Sequence, residues 1–288
     1  MTILVTGILL GGTYALIAMG LTLQYGVARI MNLANGETFV AACFIAFWLF
    51  TAYHINPLLG LLVIAPLAFV VNGAIYWFLL KPLVDRAKNR GQLEVDSILV
   101  TFGLLFLLQG LMILAFGGAY FSYTFLAERF VILGSAYGLN RVVAFGVAAI
   151  IAVALYAYLF HTRQGTAVRA VAVDPTSANL VAIDVARTAM IAFALGGALT
   201  ACGGALLSTF YTFNASMGVV FTMKALIIVI MGGVGDVRGA VIAAMVLGIT
   251  ETAVATLVDP GLTLAATYAL FILVLLFRPQ GIFGRQQS

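Results

Sequence analysis

The charged residues of this chain are gathered into a few short stretches, and what lies between them is apolar. Apolar runs fall at roughly 3–27, 34–52, 57–80, 96–116, 141–160, 188–210, 220–232, 238–257 and 262–277. Most are about 20 residues long, the length a helix needs to cross the hydrocarbon core of a bilayer. Composition agrees: 64% of the residues are hydrophobic and 8% charged, against about 25% charged in a typical soluble domain. The runs are uniformly apolar rather than alternating, which excludes a transmembrane β-barrel. The fold class is therefore all-α. The chain reads as a polytopic integral membrane protein of eight or nine hydrophobic helical segments, forming one domain over residues 1–288. Met1 to Leu23 lacks a basic leading region and reads as a first span rather than a cleavable signal. The net charge of +4 comes from loop Lys and Arg, not from a nucleic-acid footprint. Cys43 and Cys202 lie within apolar runs and read as small core residues.

One segment is expected to be discontinuous. The run 220–232 is too short to span, and Gly232-Gly233-Val234-Gly235 after it is too flexible for a helix interior. Irregular backbone at membrane depth survives only where protein or a water-filled cavity surrounds it. A faint internal echo links Leu23–Ala42 with Ile227–Ala244. Each has an apolar run, a glycine break, one Arg and a second apolar run. Interrupted helices in corresponding places mark transport sites.

Placing the C-terminus in the cytoplasm puts Arg29, Lys81, Arg86, Lys88, Arg90, Arg163, Arg169, Arg187, Arg238, Arg278 and Arg285 inside. Arg129 and Arg141 then lie outside, and Lys224 near the outer edge. Positive charge concentrates on the cytoplasmic side, so the N-terminus is expected outside. The outer segment 117–140 is rich in Tyr and Phe, as an interfacial belt or a partner surface would be. The longest polar interval, 161–187, carries a helix start: Asp174 as cap and Pro175 at the first helical position. Ala178, Val181 and Ala182 then recur on one small apolar face. Such a loop is either a docking surface for a cytoplasmic partner or a plain connection between spans.

No catalytic constellation is present. There is no His-Glu-x-x-His pair, no Gly-x-Ser-x-Gly elbow and no Gly-x-x-x-x-Gly-Lys-Ser/Thr loop, so the chain carries no nucleotide-binding motif. His54 and His161 have no second metal ligand nearby. Four ionisable residues sit in or near apolar runs: Glu37, Lys224, Arg238 and Glu251. Charge at that depth faces a cavity or a partner. Glu37, after the polar cluster Asn32-Leu33-Ala34-Asn35-Gly36, either lines a path or caps a helix N-terminus. Lys224 and Glu251 are expected to snorkel from boundary positions. Gly7-x-x-x-Gly11, Gly196-Gly197 and Gly203-Gly204 allow close helix approach.

Four pieces of sequence, in order, resemble the permease subunits of branched-chain amino acid ABC importers, in their LivH-like branch. They are Gly20-Leu21-Thr22-Leu23-x-Tyr25-Gly26-Val27-x-Arg29-x-x-Asn32-x-Ala34-x-Gly36-Glu37, Thr162-Arg163-x-Gly165-x-Ala167-x-Arg169-Ala170-x-Ala172-x-Asp174, Met231-Gly232-Gly233-x-Gly235 to Gly239-Ala240, and Arg278-Pro279-Gln280-Gly281-Ile282-Phe283-Gly284. The resemblance covers essentially the whole length. It implies a multi-pass protein of the bacterial inner membrane with four kinds of partner: a second, similar permease, two cytoplasmic ATPases that bind the ATP and Mg, an external substrate-binding protein, and lipid. It implies no cofactor or metal in this chain. The 161–187 loop then resembles a coupling loop, with Arg163, Gly165, Arg169, Asp174, Ala178 and Asp184 as ATPase-coupling candidates. Asn32, Asn35, Glu37, Gly232, Gly233 and Gly235 are the substrate-pathway candidates. Two positions depart from the family: Asn35 where His is usual, and Ala182 where Gly is common. Relatives of this branch are also associated with urea, short amides and aromatic acids. An ATP-independent channel or carrier is the alternative of a different class.

Overall fold

Helix α1 (Thr2–Ala28) is the axis of the molecule, buried along 18 of its 27 residues. α9 (Val185–Leu207) and α11 (Val237–Leu257) pack antiparallel on either side of it. Gly20 meets Gly196 so closely that a Cβ on either would overlap the other's backbone. Gly7 and Gly11 meet α11 around Gly248 in the same way. In lipid, helices gain little from burying apolar surface against each other, so close backbone approach at small residues carries the association.

The computed structural model describes residues 1–87, 89–126, 128–132, 135–278 and 281–283, with backbone alone at 90, 129–132 and 135–136. Lys88, Arg285, Pro279, Gln280 and Gly284 lie outside the described residues. Around the axis stand α2 (Asn35–Tyr53), α3 (Pro57–Ile75), α5 (Arg90–Phe116), α6 (Leu139–His161) and α12 (Thr263–Phe277). α3 runs on through one π turn (Tyr76–Leu80) into α4 (Lys81–Arg86). α5 and α12 bury few residues, and their outer faces carry side chains such as Phe106, Leu114, Leu276 and Phe277. That surface suits hydrocarbon. Among the described residues eight helices are long and apolar enough to cross a membrane. α10 (Gly218–Gly232), at 15 residues, is shorter. Cys43 and Cys202 are buried free thiols.

Part of the aromatic segment 117–140 packs inward, while Tyr120 is exposed. Strands β1 (Arg129–Ile132) and β2 (Ser135–Gly138) pair antiparallel. Phe121 packs on Phe44 and Phe47, Tyr123 on Phe47 and Phe50, and Phe125 on Phe50. Phe121 also exchanges backbone hydrogen bonds with Phe213 (2.8 and 3.0 Å). These rings cover the far end of α2 instead of facing outward.

Candidate functional site: two helix starts inside the bundle and a coupling loop at its end

Two helices begin inside the bundle rather than at its ends. After α1, Arg29 takes a left-handed conformation (φ 57) and residues 30–34 run back alongside α1. Asn32 Nδ2 donates to Gln24 Oε1 (3.0 Å), and Gln24 Nε2 to the Phe193 carbonyl (3.2 Å). The irregular backbone is met by side chains. Thr101 Oγ1 accepts from Leu33 N–H (3.2 Å), and Thr222 Oγ1 donates to the Leu33 carbonyl (3.0 Å) and accepts from Gly36 N–H (2.9 Å). Non-helical chain in a membrane needs such partners. α2 then starts at Asn35, whose Oδ1 accepts from Thr200 Oγ1 (3.0 Å). Thr200 stands about 22 Å along α9 from its start, at 1.5 Å per residue.

α10 begins at the same level. Residues 208–217 turn back from the end of α9, with Phe213 fully buried, and α10 starts at Gly218 against Gly36. From there α10 and α2 run to opposite ends. Phe44 of α2 lies by Phe116 and Phe213, and α10 ends by the turn whose Gly235 touches Gly26 at the end of α1. The first turns of the two helices therefore meet, with Gly36 against Gly218 and Thr222, Glu37 against Gly218, and Asn35 turned to Thr200 of α9.

Of the pathway candidates, this junction gathers Asn32, Asn35 and Glu37. Asn32 is fully used as a brace: its Oδ1 also accepts from Ala34 N–H (3.1 Å). Asn35 Nδ2 and both carboxylate oxygens of Glu37 are buried and have no hydrogen-bond partner. Glu37 lies in the first turn of α2, with its carboxyl over the Cα of Gly218. It is thus both a helix-start carboxylate and part of a cavity wall. That cavity, about 300 Å³, lies between α2, α3 and α5.

Gly232, Gly233 and Gly235 lie elsewhere, a correction to their placement at membrane depth. They form the turn between α10 and α11 at the end of the bundle, about 21 Å along α10 from Gly218. The expected glycine-only backbone is there: φ is 103° at Gly233 and 85° at Gly235. The helix break inside the bundle precedes α10 instead. Gly26 sits against Gly235, where a Cβ would lie 3.2 Å from the Gly235 Cα, so the two glycine breaks of the sequence echo are spatial neighbours. Ile282 and Phe283 N–H donate to the carbonyls of Met231 (2.8 Å) and Gly232 (3.2 Å), fixing the tail beside this turn.

Lys224 and Glu251 do not snorkel. They form a buried ion pair, Nζ 2.8 Å from Oε1 and 2.9 Å from Oε2. Lys224 Nζ also donates to Tyr14 Oη (2.9 Å), Tyr14 Oη to Glu251 Oε2 (2.9 Å) and Thr267 Oγ1 to Glu251 Oε1 (2.8 Å). Four side chains thus join α10, α11, α1 and α12. The pairing spans 27 positions, and no local signal in the sequence reveals it.

The polar loop folds as two short helices, α7 (Arg163–Val173) and α8 (Pro175–Leu180). Thr162 caps α7 by accepting from Gly165 N–H (3.0 Å), and a Cβ on Gly165 would overlap Tyr158 and Leu159 of α6. Asp174 caps α8 by accepting from Thr176 N–H (2.9 Å), and Pro175 takes the first position, as the sequence predicts. The Ser177 hydroxyl, then Thr176 N–H, hold the Asp174 carboxyl below its ordinary range. Asp184 caps α9 by accepting from Arg187 N–H (2.9 Å). Gly165, Asp174 and Asp184 therefore shape the loop. Arg163 is exposed. The apolar face differs from expectation. Ala178 is buried within the chain, α8 stops at Leu180, and Ala182 takes a left-handed φ of 59°. The exposed apolar side chains are Val173, Leu180 and Val181, 74%, 84% and 70% accessible.

This loop reaches the glycine turn through aromatic rings. The Arg169 guanidinium stacks over Phe160 at 4.6 Å, and that of Arg238, just after the turn, lies over the same ring at 5.4 Å. Arg238 also donates to Tyr156 Oη (2.7 Å). Together with the end of α1 they enclose a cavity of about 320 Å³.

Comparison with known proteins agrees with this architecture. Residues 3–277 match the family model of the branched-chain amino acid transport system / permease component. The chain is 30% identical to the high-affinity branched-chain amino acid transport system permease protein LivH of Salmonella typhimurium, over 98% of this chain and 94% of that protein. It is 29% identical to BraD of Pseudomonas aeruginosa (99% and 95%) and 28% identical to a probable LivH of Methanocaldococcus jannaschii (98% and 92%). Among solved structures, PsaBC from Streptococcus pneumoniae in complex with Fab shares the fold, with a TM-score of 0.51 at 10% identity over 98% of this chain and 94% of that one. A family model matched over residues 3–277, on a bundle in which eight of the described helices are long and apolar enough to cross a membrane, means that this protein belongs to the branched-chain amino acid transport permease family.

Proposed function

We propose that this chain is the membrane subunit of an ATP-driven importer for branched-chain or closely related amino acids. Two cytoplasmic ATPases bind the ATP and Mg and dock on the 161–187 loop, an external binding protein delivers the solute, and a second, similar permease completes the pathway. The N-terminus lies outside and the C-terminus in the cytoplasm of a bacterial inner membrane. One observation carries this reading: Val173, Leu180 and Val181, exposed on α7–α8 at one end of the bundle, with stacked Arg169, Phe160 and Arg238 running from them to the glycine turn. Exposed apolar groups on a polar loop call for a protein partner. A push on α7 then bears on the turn that ends α10, and α10 starts against Glu37. In this mechanism Arg163 and Arg169 give the loop its positive charge, while Gly165, Asp174 and Asp184 hold the docked shape. The helix-start junction at Asn32, Asn35 and Glu37 lies on the solute's path, and the turn at Gly232, Gly233 and Gly235 is the hinge.

The test is co-purification of the cognate ATPases with wild type and with Leu180→Asp. A carboxylate desolvated in a docked interface without a partner is strongly unfavourable. Leu180→Asp should reach the membrane in normal amount and lose the ATPases. Ala178→Asp should instead reduce the amount of folded protein, because Ala178 is internal. ATPase binding unaffected by Asp at 180 would move docking to another surface.

A further inference from the structure

We propose that the cavity between α1, α6, α7 and the glycine turn is a binding site for the headgroup phosphate of an anionic phospholipid. The guanidiniums of Arg169 and Arg238 hold the phosphate, and the acyl chains lie along α6 and α11. The proposal deepens the importer reading and rests on it only for placing this end of the bundle in the cytoplasmic leaflet.

Buried Leu23, Val27, Leu159 and Val168 line the cavity together with exposed Arg169 and Arg238. The two cations come from different elements, α7 and the start of α11, and meet at one ring, that of Phe160. Arg238 uses one N–H on Tyr156 Oη (2.7 Å), and Arg169 one on Thr166 Oγ1 (3.4 Å). A guanidinium carries five N–H donors, so each retains edges for a phosphate, which it can grip with two parallel bonds. Among the described residues neither is in an ion pair. The one carboxylate lining the cavity, Asp236, serves the start of α11. Its Oδ1 accepts from the backbone N–H groups of Arg238 (2.8 Å) and Gly239 (3.0 Å).

The second observation points to a lipid rather than a free phosphate. Two exposed apolar faces run away from the guanidiniums along helices of spanning length. On α6 the face is Phe160, Tyr156, Val153 and Ile150. On α11 it is Ile242 and Val246, one and two turns beyond Arg238. Both faces suit hydrocarbon, and that of α6 ends where the polar loop begins. A phosphate between Arg169 and Arg238 therefore lies at the level of a headgroup whose chains continue along the same two helices. Basic pockets between spans on the cytoplasmic side attract anionic headgroups, whereas a free phosphate gains nothing from either apolar face. A headgroup held by both cations would also tie α7 to the glycine turn, the contact through which a docked ATPase acts on α10.

The experiment measures thermal unfolding of the full chain, purified with its partner subunits, against dioleoyl phosphatidylglycerol, dioleoyl phosphatidylcholine and soluble glycerol phosphate, with native mass spectrometry to count bound lipid. Phosphatidylglycerol should raise the melting temperature of wild type and stay bound. Phosphatidylcholine, whose phosphate carries its own ammonium, should do neither. Arg169→Gln and Arg238→Gln should each weaken half-saturation by phosphatidylglycerol about fivefold. Arg163→Gln removes the same charge from an exposed position of the loop outside the cavity, and should leave it unchanged. The unliganded melting curve of each variant shows that it is folded. Equal stabilisation by phosphatidylcholine, or a loss in Arg163→Gln as large as in the other two, would overturn the proposal. Glycerol phosphate acting at the same concentration as phosphatidylglycerol would overturn the lipid assignment. If phosphatidylglycerol binding follows Arg169 and Arg238 but the assembly accumulates no amino acid with ATP, the site stands and the importer reading fails. If ATP drives leucine uptake while both variants bind phosphatidylglycerol as wild type does, the importer reading stands and the site fails.

Discussion

Removing one member of the Lys224–Glu251 pair should damage the protein more than removing both. In Glu251→Leu the ammonium of Lys224 keeps Tyr14 Oη as its remaining hydrogen-bond partner, beside the Tyr14 and Phe221 rings, and loses its counter-charge. In Lys224→Met the carboxylate of Glu251 keeps the Tyr14 and Thr267 hydroxyls but loses its counter-charge. Breaking a buried ion pair in this way costs about 3–5 kcal/mol, most of it the uncompensated charge. In the double variant no charge remains. Thr267 Oγ1 can still donate to the Thr263 carbonyl (3.0 Å), whereas the Tyr14 hydroxyl loses both partners, at a cost of about 1–3 kcal/mol. Adding Tyr14→Phe removes that orphan as well, so the triple variant should return to within about 1 kcal/mol of wild type. The assay is thermal unfolding of wild type and the four variants, purified in one detergent, with the singles and the double read as a double-mutant cycle. The order predicted, least stable first, is single variants, double variant, triple variant. Single variants that melt with wild type, or a double variant whose loss equals the sum of the singles, would show that the pair is not the desolvated unit described here.

Two kinds of backbone substitution should have opposite signs. Gly233→Ala and Gly235→Ala place a Cβ at positive φ, where Ala costs more than the about 1 kcal/mol it gains in an ordinary helix, so both should melt lower and transport less; variants that melt higher and transport normally would dismiss the glycine turn. Ala182→Gly should do the reverse, relieving a left-handed residue worth about 1–2 kcal/mol, and an unchanged or lower melting temperature would contradict that local conformation. Helix α8 should be insensitive to pH above the ordinary Asp range, about 3.9, because the folded Asp174 carboxyl titrates lower still; as pH falls through that folded value the capping contribution is lost, so hydrogen exchange over 176–180, corrected for intrinsic rates, should quicken there in wild type but not in Asp174→Asn.

The spans were legible because a 20-residue apolar run has one outcome in a bilayer. The short run at 220–232 gave α10, and Asp174-Pro175 gave the start of α8 almost to the residue. The depth at which chains start and stop was not legible. Asn32, Asn35 and Glu37 read as polar residues opening a span. That this opening lies inside the bundle depends on Thr101 and Thr222, from α5 and α10, meeting the exposed backbone. The glycines at 232–235 carried the right conformational signal and the wrong location, because a turn at a helix end and a break within a span demand the same residue. Lys224 and Glu251 looked like boundary residues for a related reason. Each alone would be too costly inside, and only their pairing in space makes burial tolerable. Ala178 shows the limit of a six-residue periodicity, where one helical face is too short to say which neighbour it meets. Ala182 is the reverse case. A position where the family commonly has Gly proved to be left-handed, so the departure from pattern was itself a backbone signal.

The claim that the loop at 161–187 joins this bundle to an ATP-driven engine is tested most directly by uptake. The chain, its partner permease and ATPases are reconstituted in vesicles, with the external binding protein, and labelled leucine is measured with and without ATP on the ATPase side. The account predicts accumulation that requires ATP and is lost in Leu180→Asp, with the bundle still folded. Leucine entry at the same rate without ATP, or undiminished in Leu180→Asp, would contradict it and point to a channel or carrier.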